Sequence, residues 1–290
     1  MTTAPRPRVA LRRQGAGAPL VLLHALGSSS HAWNPILPAL TERFEVITVD
    51  LPGFGRSPAL PSPVRPTPAA LAAAVAAALD EADIHDPHVV GNSIGGWVAL
   101  ELLPLRPVAT LTLLSPAGLW PHTTPGYCRL SLRATRWATE HVPGLLNRAV
   151  DHRLGRVLLL GQSHGRPTRI SADQARAAVA ALGTSTGFSA TLRATTQLRY
   201  RGTSLGRDRF PPITVAFGTR DLILARRSWR RLDELPPRTV VRRLPGCGHI
   251  PMYDDPDAVA ALITATAGRA VAGPRPCKVA DRPVRARHPG

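Results

Sequence analysis

Val89-Val90-Gly91-Asn92-Ser93-Ile94-Gly95-Gly96 is the stretch on which the rest of the chain turns. An apolar β-branched pair runs into Gly-x-Ser-x-Gly, and Trp97-Val98-Ala99-Leu100 follows at once as the body of a helix. Strand, sharp turn, helix is the context in which this pattern presents a nucleophilic serine. Glycines on both sides let strand and helix pass closely, and the turn holds Ser93 in strained dihedrals. The Ser93 hydroxyl is thereby lifted above the sheet. The N–H groups behind it open a helix N-terminus, where a developing anion is stabilised. Alone, the pattern is also that of a glycine-rich turn with an ordinary serine, so Ser93 needs partners elsewhere in the chain.

The 290 residues are enough for one large core, or one core with an inserted block, and 44 % of them are hydrophobic. Met1 to Pro7 have no apolar run of the kind that opens a secretory signal, and no uninterrupted apolar run is long enough to span a bilayer. Cys128, Cys247 and Cys277 are far apart and odd in number, which suggests neither a disulfide framework nor a metal site. The expected compartment is a reducing cytoplasm, with no membrane partner. The formal charge of +17 invites a nucleic-acid reading, but the arginines are scattered through every segment and only 4 % of residues are aromatic. Non-specific polyanion binding at low salt follows from such a charge; a specific nucleic-acid partner does not.

Around the opening stretch, strands and helices alternate. Residues 9–13, the continuous apolar run Leu20 to His24, Phe44 to Val49 and Val108 to Leu114 read as strands. Helices are expected from Trp33 to Leu40, with Ser28 to Ser30 offering an N-cap, and over 69–82. Such alternation implies right-handed crossovers and a mostly parallel sheet. Between 119 and 209 it stops, leaving helical patterns only, at about 127–141, 144–160, 171–183 and 187–200. It resumes with strands at 213–217 and 239–244 and a helix at 256–267. The expected organisation is a core of residues 1–118 and 210–268, a helical lid of 119–209 over the sheet's carboxyl edge, and a Pro- and Arg-rich disordered tail of 269–290.

A serine hydroxyl becomes nucleophilic at neutral pH when a base takes its proton. Among ten histidines, His249 stands in Leu244-Pro245-Gly246-Cys247-Gly248-His249-Ile250-Pro251, directly after the last strand, where glycines and prolines fix the loop. The base in turn requires a carboxylate. Asp221, in the turn after the strand ending at Phe217-Gly218, fits that role, although an aspartate there also reads as a helix cap. Asp254 and Asp255 compete for it but are better placed to cap the final helix. The order Ser93, Asp221, His249, each in a loop after a different strand, is the one expected with this elbow.

On these residues the chain resembles the α/β-hydrolase superfamily, in its lid-bearing branch of small esterases, C–C bond hydrolases and cofactor-free perhydrolases. The resemblance runs from Leu20 to about Ala267. It rests on His24-Ala25-Leu26-Gly27-Ser28, Asp50-Leu51-Pro52-Gly53-Phe54-Gly55-Arg56-Ser57, the Ser93 elbow, and Gly218…Asp221 with Gly248-His249, in family order. It implies an α/β-hydrolase fold and an oxyanion hole from the backbone N–H groups of Ile94 and Leu26. This chain has His24-Ala25 where the family usually has His-Gly. The resemblance also implies a structural His24, and loop-holding roles for Asp50 and Arg56.

The same resemblance implies acyl transfer through Ser93 on a small-molecule acyl substrate, without metal or organic cofactor. A serine at the elbow argues against the dehalogenase and epoxide-hydrolase branches, which use aspartate there. Asn92 matches the Gly-Asn-Ser of C–C hydrolases, whereas Ile250 stands where those enzymes commonly have Trp. Their substrate carboxylate is met by a lid arginine, for which Arg129, Arg133 and Arg136 are candidates. Ester hydrolysis is the first reading, with C–C hydrolysis and perhydrolysis as alternatives and a non-catalytic ligand-binding protein as the different-class alternative. Trp120, Leu130, Leu132, Trp137 and Phe188 are the candidate wall of an apolar acyl site.

Overall fold

The computed structural model describes residues 8–202, 210–226 and 229–270. Among these residues seven strands form one sheet: β1 (Ala10–Gln14), β2 (Ala18–Leu23), β3 (Phe44–Asp50), β4 (His88–Asn92), β5 (Thr110–Leu114), β6 (Ile213–Gly218) and β7 (Val240–Leu244). Their order is β1-β3-β2-β4-β5-β6-β7, and only the β1–β3 pair is antiparallel. The apolar runs read from the sequence are the central strands. Leu20, Leu22 and Val90 face one side, packed with Trp33, Leu40 and Ile263. Val21, Leu23 and Val89 face the other, packed with Leu71, Trp97 and Leu102. Burying both faces of a strand this way is what makes its sequence a continuous apolar run.

The flanking helices are α1 (Leu37–Thr41), α2 (Pro68–Glu81), α3 (Ile94–Leu102) and α9 (Pro256–Ala267). Helix α2 starts where Thr67 accepts the Ala70 N–H at 3.2 Å and Pro68 opens the first turn. The helix expected over 33–40 is a 3₁₀ segment, Ser30–Ile36, that passes into α1. Its serines do not cap it. Asp50 does instead, taking the Ser30 N–H at 2.7 Å.

The chain leaves β2 for β3 on one side and then crosses back to β4 on the other. Loops after β2 and β4 therefore diverge, and a crevice opens at the carboxyl ends of these strands. Among the described residues five helices lie over it: α4 (Gly126–His141), α5 (Pro143–Asp151), α6 (Arg153–Leu160), α7 (Ala172–Thr184) and α8 (Phe188–Thr195). Helices α5, α6 and α7 share a small core of Leu146, Val150, Leu160, Ile170, Ala175 and Val179, against which Ala138 of α4 packs, whereas Phe188 and Leu192 of α8 join the main core. The single helix expected over 144–160 is two. His152 is extended, and Arg156 Nη1 donates back to the carbonyls of Val150 and Asp151 at 2.7 and 3.1 Å. Those carbonyls, orphaned by the end of α5, are thereby satisfied, and an uninterrupted apolar period hides the break. The helix expected over 187–200 ends at Thr195. Part of the expected lid (203–209) and most of the expected tail (271–290) lie outside the described residues. Arg269, the first tail residue, donates to the Ile213 carbonyl at 2.9 Å.

Candidate active site

Ser93 sits between β4 and α3 with φ 55° and ψ −116°, a conformation that costs an L residue on the order of 1–3 kcal/mol. The surrounding structure over-determines it. Its N–H donates to Leu114 at 3.0 Å, and its carbonyl accepts from Gly96, Trp97 and Ala117. Gly95 is required by close approach: a Cβ there would meet the Leu23 and His24 carbonyls of the neighbouring strand end. Among the described residues, the N–H groups of Ile94 and Leu26 donate to no protein acceptor, and both residues line the cavity that Ser93 opens into.

His249 and Asp221 meet across the loops after β7 and β6. Asp221 Oδ2 faces His249 Nδ1 at 3.0 Å, while Oδ1 accepts the Ile223 and Leu224 N–H groups at 3.0 and 2.8 Å. The two readings of Asp221, orienting carboxylate and local cap, are therefore both realised, one per oxygen. Burial pushes this carboxyl upward, yet the adjacent His249 ring and the Leu224 N–H outweigh it and hold the pKa at about 2. An ionised acceptor at Nδ1 fixes the proton there and leaves His249 Nε2 as the free basic nitrogen. His249 and Ser93 line the same cavity, with no hydrogen bond between them. Such contacts commonly tighten only around a substrate.

Asn92 holds the histidine loop from below. Its amide donates to the Leu114 and His249 carbonyls, both at 2.9 Å, so it supports the backbone and does not face the cavity. His24 is structural as expected: its Nε2 accepts the Leu51 N–H at 3.0 Å and its Nδ1 donates to the Ala25 carbonyl at 2.8 Å. Burial pushes its pKa down, in keeping with a neutral ring. Asp50 also binds the Arg56 N–H at 3.0 Å, and the Arg56 side chain lies 3.6 Å away, so this pair holds loops together.

The aspartate pair before α9 divides its work. Asp255 caps the helix through the Ala258 N–H at 3.1 Å. Asp254, fully buried, instead collects the N–H groups of Gly165, Arg166 and Gly248 at 2.8, 2.7 and 2.7 Å. It thereby fastens the loop after α6 to the residue preceding His249. Gly165 and Gly248 approach so closely that a Cβ on Gly248 would lie 2.6 Å from Gly165 N and Ser163 O. One cap needs one aspartate, and that surplus was the only sequence signal for this role. His164 escaped the sequence reading altogether. It lines the cavity, bonds Ser163 Oγ at 2.9 Å, and burial lowers its pKa to about 4.

The cavity has a volume of about 630 Å³ and is walled by the loops after β2, β4, β5, β6 and β7 and by helices α4, α5, α6, α7 and α8. Trp120, Leu132 and Phe188 belong to it, as expected. Leu130 and Trp137 do not: they are 71 % and 57 % exposed on the opposite face of α4. Arg129, Arg133 and Arg136 lie on that outer face too, and no Asp, Glu, Lys or Arg lines the cavity among the described residues. Cys128 does line it, but its Sγ donates to the Ile223 carbonyl at 2.9 Å and burial pushes its pKa to about 12. That thiol is inert at neutral pH. Among the described residues, no cluster of three or more His, Cys, Asp or Glu could hold a metal ion, and no helix is long and apolar enough to cross a membrane.

A seven-stranded, mostly parallel sheet with a strained serine at the switch point and an Asp–His pair on later loops defines the α/β-hydrolase fold. The chain belongs to the alpha/beta hydrolase family, whose model matches residues 20–262. A pimeloyl-[acyl-carrier protein] methyl ester esterase of Aeromonas hydrophila is 39 % identical over 125 residues, which cover 40 % of this chain and 47 % of that esterase's length. A thermophilic esterase from Thermogutta terrifontis superposes with a TM-score of 0.68 at 19 % identity, over 90 % of this chain and 93 % of that one. A meta-cleavage product hydrolase from Pseudomonas fluorescens gives a TM-score of 0.69 at 21 % identity, over 90 % and 94 %. At those identities the two structures speak for the fold alone.

Proposed function

We propose that the protein is a serine hydrolase that cleaves a carboxylic ester, or a related acyl bond, through an acyl-enzyme on Ser93. One observation carries the reading: the 3.0 Å Asp221–His249 contact stands at the same uncharged cavity as a serine in an elbow conformation. Ser93 Oγ attacks the substrate carbonyl as His249 Nε2 takes its proton. The tetrahedral oxyanion is met by the N–H groups of Ile94 and Leu26, each worth roughly 2.7–4 kcal/mol in the transition state. His249 returns the proton to the departing alcohol, and water then releases the acid by the same route. The helices over 119–209 act as the lid that shapes the acyl site. The name of the Aeromonas relative supports an ester as the bond cleaved.

A cavity of this size suits an acyl group of moderate length, and walls without charge favour an uncharged one. The same walls weigh against a C–C hydrolase whose substrate carboxylate meets a lid arginine, because Arg129, Arg133 and Arg136 lie outside it. Ser93→Ala is expected to abolish turnover of p-nitrophenyl butyrate while leaving the thermal midpoint unchanged, and a fluorophosphonate adduct should map to Ser93 by mass spectrometry. Hydrolysis that survives the substitution overturns the reading.

A further inference from the structure

The outer face of α4 forms one wall of a second concavity, a groove of about 600 Å³ whose other wall is α8. Arg129, Arg133 and Arg136 follow one another along α4 at i, i+4 and i+7, and Arg193 joins them from α8. Like charges at such spacings repel one another and weaken the helix that carries them, so the stripe is unfavourable without an anion. Among the described residues Glu140 is the only acid lining the groove, and it is already paired with Arg136 at 2.7 Å. Arg136 also donates to the Leu182 carbonyl and lies 5.7 Å from the centre of the Phe188 ring. The guanidinium groups of Arg129, Arg133 and Arg193 have no hydrogen-bond or ion-pair partner among the described residues.

The groove is not merely cationic. Leu130 and Trp137, two of the five large apolar side chains that the sequence suggested for the acyl site, stand exposed along it, and Phe188 and Leu192 contribute to its lining. Exposed apolar surface rimmed by charge marks a place where something binds. Guanidinium forks suit carboxylate and phosphate oxygens, and a concavity of this volume is of the size that takes a small molecule. Phe188 and Leu192 also line the Ser93 cavity, so two side chains are shared by the walls of both.

We propose that this groove is a binding site for a monomeric amphipathic organic anion, an alkyl or aryl carboxylate or phosphate. Its head lies among Arg129, Arg133 and Arg193, and its apolar part lies against Leu130 and Trp137. The site is separate from the catalytic cavity, and its ligand is not the ester that is cleaved.

The test is calorimetric titration of the full chain with dodecyl phosphate below its micelle concentration, with dodecyl maltoside as the uncharged control. Ser93 is first blocked with a fluorophosphonate and the adduct checked by mass. Failure to form the adduct counts against the hydrolase reading and leaves the groove to be judged by the charge variants. Saturable binding of the phosphate at one site, with none of the maltoside, is the expected result. The double substitution Arg129→Glu/Arg133→Glu should weaken it by about tenfold or more. The milder Arg133→Gln/Arg193→Gln should weaken it in the same direction, with turnover of the short ester unchanged in both unblocked variants. Four outcomes overturn the proposal: binding indifferent to the charge variants, equal binding of the maltoside, binding only to phosphatidylglycerol vesicles, or far tighter binding of a Glu-rich amphipathic peptide.

Discussion

Helix α4 has two faces of opposite character. Inward it offers Cys128, Ser131, Leu132, Thr135 and Thr139 to the cavity of Ser93, with no charge among them. Outward, one residue away in each turn, it carries Arg129, Leu130, Arg133, Arg136 and Trp137. Helix α4, with Phe188 and Leu192 of α8, thus separates the uncharged cavity of Ser93 from a cationic, partly apolar groove. The difference teaches that residue type alone does not say which side of a helix a side chain serves. Leucine, tryptophan and arginine all occur outside, and the polar Ser131, Thr135 and Thr139 occur within.

The strongest way to break this separation is to remove the wall both concavities share. Phe188→Ala deletes a fully buried ring that lines each of them, at an expected cost of about 3–5 kcal/mol. The thermal midpoint should fall accordingly, and the KM for a medium-chain ester should change with it. A midpoint within a degree of the parent would mean the ring does not partition the two spaces.

A pair of substitutions two residues apart sharpens the comparison. Leu132→Glu places a carboxylate on the inner face, where it must stay neutral or be solvated at the expense of packing, and about 2 kcal/mol of stability should be lost. Leu130→Glu on the outer face should change stability by no more than about 0.5 kcal/mol. Equal losses in chemical denaturation would contradict the assigned phase of the helix.

Acid titration separates the two environments by the smallest effect. The Asp221 carboxyl is held at about 2, below its ordinary value of 3.8, so its contribution to stability is complete above that ordinary value and is lost as pH falls toward 2. The difference in thermal midpoint between the parent and Asp221→Asn should therefore shrink from pH 5 to pH 2. A difference that stays constant would show that the carboxylate is not preferentially ionised in the folded protein.

Much of this was legible in the sequence for a physical reason. Strands buried on both faces must be apolar throughout, and a sharp strand-to-helix turn must have glycine where backbones touch. Leu20 to Leu23 and Gly91 to Gly96 accordingly announce themselves. Ser93, Asp221 and His249 fall in short loops after such strands, so their convergence at one edge followed from topology. What escaped depended on the rotation of helices about their own axes. The apolar period of α4 is shared between two concavities, so Leu130 and Trp137 could not be told from Leu132 without the fold. The break at His152 was hidden because α5 and α6 keep one apolar rhythm across it. Asp254 looked like a cap beside another cap, since its true donors lie in a loop almost ninety positions upstream and in the turn before His249.

The Asp254 clasp bears on how this molecule could be rebuilt. Lids are often pictured as cassettes, free to be exchanged on a constant scaffold. Here Gly165 and Arg166 share one carboxylate with Gly248, the neighbour of the histidine, and the two loops touch backbone to backbone. A graft that replaced 119–202 alone would strip that carboxylate of two of its three donors and leave it buried. The exchangeable unit is accordingly larger than the helical block: the segment from Gly246 to Asp255 has to travel with that block, and the histidine travels inside it.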